Sequence, residues 1–281
     1  MAGCADDMTG MVPEELITQY HKEGYFIVDD AIAPEMVERM IPAARSANAK
    51  VRSGAVVSSP DRIGTDGPGD TKYDILGVIA PEFGEPIFAE YLCCPPLLHY
   101  VHALLGTDLR LGWMALFVVP GQDKYDTGWH RDFGKEERNG SEEVEMEILG
   151  RLRKNLVKWH MALVDDACLW LVPGSHLRYR TEQEHEALTN DHFADLPEAR
   201  QIVLKKGQTV FWNGNTIHRG CLPAAAPERL AVMGALVRHL PDDPPEPLED
   251  RFRWRMADSV RAALPPETQL YYDRWRQLQL A

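Results

Sequence analysis

The sequence predicts a mainly β domain with flanking helices, a sandwich or a barrel, and three observations carry that reading. Seven short runs rich in β-branched and aromatic residues follow one another: LGWMALFVV (111–119), TGWHRDF (127–133), VKWHMALV (157–164), CLWLV (168–172), QIVL (201–204), TVFW (209–212) and RLAVMGALV (229–237). Breaks such as VPGQD, VPGSH, KKGQ and NGN fall between them, as strand-connecting turns require. The runs also lack the interleaved helices of a parallel βαβ sheet.

The flanking elements follow in order. Residues 13–24 (PEELITQYHKEG) read as a helix with Pro in its first turn, acids next and Gly at its end. GYFIVDDAI is a strand and PEMVERMIPAARSANAKV a second helix. Residues 53–72 are rich in Gly, Pro, Ser and Asp, so they form a loop; no GK[ST] follows, which excludes a phosphate-binding loop, and an active-site cover and simple disorder are the two readings left open. PPLLHYVHALLG (95–106) is a further helix. One helical pattern, 141–154, interrupts the strands. Ser141 can cap it, Val144, Ile148, Leu149 and Leu152 share a face, and its acidic start and basic end match the helix dipole. It reads as a surface helix or as a lid, since it begins shortly after Asp132. From 241 onward the chain reads as a peripheral extension. The expected organisation is one domain, 1–281, with a helical part at 1–109, a β core at 110–240 and the extension at 241–281.

Composition narrows the function. The formal net charge of -13 disfavours nucleic acid and anionic membrane surfaces as partners. No stretch approaches the length of apolar sequence that spans a bilayer. The start shows neither the basic nor the apolar region of a secretory signal, and the 5 cysteines are odd in number without a C-x-x-C spacing. Reduced thiols and a cytoplasmic location are the expectation.

With 43 acidic residues and 10 histidines in 281 positions, chance supplies one or two H-x-[DE] triplets, and the chain has two. His21 and Glu23 fall in a predicted helix, where residues two apart point about 200° from one another and cannot share an ion. His130 and Asp132 fall in a predicted strand, where residues two apart share a face. A non-haem Fe(II) site takes a second His and keeps positions open. His218, after the strand and turn GQTVFWNGNTI, is the best third ligand. His99 and His102 read as packing residues of an amphipathic helix, and His185, His192 and His239 as solvated. His160 reads as a hydrogen-bonded strand histidine. Arg229 heads the apolar run RLAVMGALV, and a cation there needs an anion partner; a guanidinium is the natural clamp for a carboxylate.

H-x-D, a later His and an Arg eleven positions beyond it (His218 to Arg229) resemble the Fe(II)- and 2-oxoglutarate-dependent dioxygenases, and more narrowly the phytanoyl-CoA dioxygenase (PhyH) family. EELITQYHKEGYFIVDDAIAPEMVERM resembles that family's opening, WHMALVDDACLWLVPGSH its strand, turn and PGSH loop, and GQTVFWNGNTIHRG its approach to the second His. The resemblance runs from about residue 13 to 240. It implies a double-stranded β-helix (jelly roll, cupin-like), with His130, Asp132 and His218 binding Fe(II). It also implies Arg229 on the distal carboxylate of 2-oxoglutarate, His160 as a cosubstrate contact, and O2 as the oxidant. Arg131 stands where relatives often have Gln, Gly220 where some have Ser, and DDACLW is shorter than the family's usual turn.

The implied reaction is C–H abstraction leading to hydroxylation, desaturation or ring closure, with release of succinate and CO2. Related halogenases carry a small residue in place of Asp132, so the carboxylate favours a hydroxylase. Trp129, Phe133 and Trp170 are candidate substrate contacts, and a small or medium, partly apolar metabolite is the expected substrate, because no basic cluster suits a CoA phosphate. The rival readings are a non-catalytic barrel and a cupin-like metal protein independent of 2-oxoglutarate; the latter has no evident use for Arg229.

Overall fold

Two antiparallel sheets share an apolar layer in the computed structural model, which describes residues 11–56, 74–121, 123–132, 141–152 and 155–280. In chain order the strands are β1 (Tyr25–Val28), β2 (Asp74–Leu76), β3 (Leu109–Pro120), β4 (Leu156–Ala162), β5 (Leu169–Leu171), β6 (Arg200–Gln201), β7 (Thr209–Trp212), β8 (His218–Gly220) and β9 (Glu228–Arg238). The larger sheet has the order β1-β7-β4-β9-β3-β2 and the smaller β6-β5-β8. The expected jelly-roll architecture is therefore present as two facing sheets, with no closed barrel among the described residues.

Strict alternation divides the large sheet. Val157, Trp159, Met161, Phe211, Leu230, Val232 and Leu236 pack with Met40, Leu97, Val101 and Trp275 of the flanking helices. The intervening residues Ala162, Val210 and Trp212 meet Leu169, Leu171, Ile202 and Leu204 from the small-sheet side. Lys158 and His160 belong to this second, inner face, because β4 pairs Lys158 with Ala235 and Trp212, and His160 with Met233 and Val210.

Three expectations need correction. Of the predicted strand 127–133, the described residues 127–132 form no regular strand: Gly128 has φ 66 and Trp129 N donates to His192 O, so this segment is joined to residues 218–221 by isolated bridges at Asp126 and His130 and a Thr127 N to Gly220 O bond. The helix near 141–154 runs Glu142–Leu152 and turns Glu145, Ile148 and Leu149 inward, while Val144 stays 44% exposed. The C-terminal segment is no peripheral extension. Its helices Asp258–Ala263 and Pro266–Leu280 bury Val260, Tyr272 and Trp275 in the main core, and Arg255 donates to Gly112 O. Most of the 53–72 loop lies outside the described residues. No helix among the described residues is long and apolar enough to cross a membrane.

Candidate metal centre

The backbone brings His130 and His218 together. Each amide donates to the other's carbonyl, at 2.9 Å and 3.0 Å, which sets the two rings side by side with centroids 4.2 Å apart. His130 Nδ1 lies 2.8 Å from Gly128 O, and His218 Nδ1 lies 2.7 Å from Thr216 O. A carbonyl only accepts, so each Nδ1 carries its proton and each Nε2 presents a lone pair. Asp132 follows on the same segment, its amide donating to Gly214 O at 3.2 Å. One donor atom from each of His130, Asp132 and His218 lies within 4.8 Å of the others, and His218 Nε2 is 3.8 Å from Asp132 Oδ1.

The electrostatics suit a cation. Burial, then the neighbouring His130, holds His218 well below the ordinary histidine range, so its imidazole is neutral and able to ligate. Desolvation pushes the Asp132 carboxyl up, but Lys158, His218 and His130 outweigh it and hold it below the usual carboxylate range. Two neutral imidazoles and a carboxylate are the donor set of a facial Fe(II) site.

Lys158 is a residue that motif reasoning did not select. It is 3% exposed, donates from Nζ to Asp132 Oδ2 at 2.8 Å, and lies over the Trp212 and Trp113 rings at 4.3 Å and 5.0 Å. Gly214 closes the other side: a Cβ there would stand 2.2 Å from Asp132 Oδ2 and 3.0 Å from Lys158 Cδ. The signal lay in the alternation of VKWHMALV, where a lysine occupies an inner-face position.

His160 is the next inner-face residue along β4. It is 1% exposed, lies parallel to the Phe117 ring, and sets Nε2 3.4 Å from Asp166 Oδ2. Asp166 also accepts from Arg229 Nε at 3.2 Å and from the Cys168 amide at 2.8 Å. Desolvation raises the Asp166 carboxyl, but Arg229 and His160 prevail and hold it well below its ordinary value. The guanidinium of Arg229 lies over Phe117 and Tyr125 at 4.5 Å and 5.1 Å, and its Nη1 is buried without a hydrogen-bond partner among the described residues. The anion partner expected for Arg229 is thus, at its Nε edge, Asp166 of the same chain. The Nη edge retains donor capacity.

Beside the His130–Asp132–His218 group, Arg131 is 1% exposed and bonds Glu145, while its Nη2 donates to Ser175 O at 2.8 Å. Glu145 Oε2 also meets Arg180 Nη1 at 3.0 Å, so an Arg–Glu–Arg cluster ties helix Glu142–Leu152 and the PGSH loop to the ligand-bearing segment. This fastening argues against a freely swinging lid.

The aromatic candidates are placed differently from expectation. Trp129 alternates with His130 and packs on the far side with Val172, Leu188 and Ile217, donating from Nε1 to Ala194 O at 2.7 Å. Trp170 packs against the same cluster, opposite Leu169 and Leu171, so neither indole faces the inter-sheet layer. Phe133 lies outside the described residues.

The family model described as phytanoyl-CoA dioxygenase (PhyH) matches residues 20–221. No curated protein matches the sequence significantly. Solved structures with a similar fold include EctD from S. alaskensis with 2-oxoglutarate and 5-hydroxyectoine, at 18% identity, TM-score 0.59, covering 82% of this chain and 78% of that one. AviO1 from Streptomyces viridochromogenes Tue57 is similar at 17% identity and TM-score 0.57, covering 85% and 99%. The non-heme alpha ketoglutarate dependent epimerase SnoN from nogalamycin biosynthesis is similar at 20% identity and TM-score 0.55, covering 84% and 92%.

Proposed function

The chain belongs to the phytanoyl-CoA dioxygenase (PhyH) family, and we propose that it is an Fe(II)- and 2-oxoglutarate-dependent oxygenase acting on a small or medium organic metabolite. It hydroxylates that substrate, or otherwise oxidises it by C–H abstraction, and releases succinate and CO2. One observation carries the reading. Lys158 and His160 are adjacent inner-face residues of β4; the first touches the ligand Asp132, the second touches Asp166 of the Arg229 pair. Two residues of strand rise, about 7 Å, therefore relate the metal-ligand set to a buried guanidinium. A short dicarboxylate has one end for each.

His130, Asp132 and His218 would hold the iron, which supplies the O2 activation that no side chain can provide. The two backbone carbonyls hold the Nδ1 proton of each histidine and leave each Nε2 free to ligate. Arg229, oriented by Asp166, offers Nη1 to the distal carboxylate, and His160 adds a second polar group beside it. Phe117 and Tyr125 wall the guanidinium and keep water away, which strengthens its hold on an anion. Asp132 would take, on the iron, the position that a halogenase leaves for chloride, so hydroxylation is the favoured reading over chlorination; chlorinated product at saturating chloride would sink that point. An epimerase among the similar folds is consistent with C–H abstraction reaching other outcomes on this scaffold.

The test is an anaerobic titration of 2-oxoglutarate into Fe(II)-loaded protein, followed in the visible spectrum beside His130→Ala. A weak charge-transfer band that needs both additions, and is lost in the variant, is the expected result. Iron binding without a band removes 2-oxoglutarate and favours another metal-dependent reaction. No iron binding favours a non-catalytic β protein.

A further inference from the structure

Lys158 occupies a buried inner-face position where an apolar residue would serve the sheet at lower desolvation cost. Its ammonium does not stand at the periphery of the metal-ligand set but on one oxygen of a ligand: Nζ meets Asp132 Oδ2 at 2.8 Å, while Oδ1 is the oxygen 3.8 Å from His218 Nε2. The lysine is held in place. Trp212 and Trp113 lie beside its Nζ, and Gly214 leaves it space, since a Cβ there would stand 3.0 Å from Lys158 Cδ.

We propose that Lys158 is a positioning residue that commits one oxygen of Asp132 to itself, restricts the carboxylate to a single bond with the metal, and so keeps a coordination position open for 2-oxoglutarate. This rests on the oxygenase reading given above. A carboxylate can grip a metal through one oxygen or two. With two imidazoles and a one-oxygen carboxylate, three positions of a six-coordinate iron stay open, which is what a chelating keto acid and O2 together require. A two-oxygen carboxylate would leave two. The carboxylate is 29% exposed on its open side, so the side-chain bond from Lys158 is what restrains its turning. Lys158 also competes with the metal for the same anion, so the arrangement exchanges metal affinity for an open site.

The experiment uses Lys158→Met, which preserves the chain length between the two indoles, and Lys158→Arg, which preserves charge and donors. Metal affinity is measured anaerobically by competition between Co(II) or Fe(II) and a chromophoric chelator. 2-Oxoglutarate affinity is measured on the Fe(II)-loaded protein from the charge-transfer band. Removing a cation that competes for the carboxylate, Lys158→Met is expected to bind metal about tenfold more tightly and 2-oxoglutarate at least tenfold more weakly, with Lys158→Arg near wild type on both. Metal binding in Lys158→Met that is unchanged or weaker overturns the proposal, because the lysine then merely supports the aspartate. 2-Oxoglutarate affinity equal to wild type overturns it as well. If wild type itself shows no band, the 2-oxoglutarate reading is what fails, and the metal-affinity comparison still judges Lys158.

Discussion

Arg229 and Asp166 form a buried ion pair, Nε to Oδ2 at 3.2 Å, with side chains 3% and 1% exposed. The two residues come from different elements: Arg229 opens β9, and Asp166 lies in the turn between β4 and β5. Their contact holds the guanidinium against Phe117 and leaves Nη1 without a hydrogen-bond partner among the described residues. The pair therefore both stabilises the inter-sheet layer and decides which way the cation can be used.

Removing one partner strands the other charge in an apolar layer. Asp166→Ala is expected to lower folding stability by about 3–5 kcal/mol, whereas Asp166→Leu combined with Arg229→Met recovers much of that loss. Urea denaturation of the single and double variants measures the difference. A cost near zero for Asp166→Ala would refute the structural role of the pair.

The same carboxylate sets a pH dependence. Arg229 and His160 overcome desolvation and hold the folded Asp166 well below its unfolded value of about 3.9. A depressed carboxylate contributes stability that is present in full above the unfolded value and is lost as pH falls toward the folded one. The stability difference between wild type and Asp166→Asn should be constant from neutral pH to about pH 5 and shrink below about pH 4. Unfolding midpoints in urea across that range test it; a gap that widens with acidity would contradict the assignment.

Gly214 has no room for a side chain, because the Asp132 carboxylate and the Lys158 stem close on it. A Cβ placed 2.2 Å from Asp132 Oδ2 forces the carboxylate aside. Gly214→Ala should retain the fold but weaken metal binding by about 10–100-fold, measured by chelator competition beside a thermal melt. Wild-type metal affinity in this variant would show that Asp132 is not a ligand.

Glu145 neutralises two buried guanidiniums at once, Arg131 and Arg180. Glu145→Leu is expected to cost about 3–5 kcal/mol of stability, and adding Arg131→Met should return part of it. Denaturant melts of both variants decide the matter. A single variant as stable as wild type would mean that the cluster does not fasten the helix.

Much of the site was legible before any coordinates, because the signals were local. The period-two face of a strand picked His130-x-Asp132 over His21-x-Glu23, and His21 and Glu23 indeed lie within helix Glu14–Glu23. The flanking helices were read from caps and apolar spacing, and both Glu14–Glu23 and Pro95–Leu105 end at a glycine. Even where residues 127–132 of the expected strand proved to be a bridged, irregular segment, His130 and Asp132 came together with His218, which the bridge at His130 brings alongside.

The sequence alone determined most of the element types, singled out His130, Asp132 and His218 as a candidate donor set, and pointed to a buried arginine, all properties of short windows or residue identity. Only the tertiary structure decided what those residues face. Lys158 meets Asp132 across 26 positions, Asp166 meets Arg229 across 63, and Arg131 meets Ser175 across 44. It also turned Trp129 and Trp170 away from the inter-sheet layer and folded the C-terminal helices into the core. Strand register and sheet-on-sheet packing set such pairings. Both are chosen by the apolar area buried over the whole domain, a quantity that no local window contains.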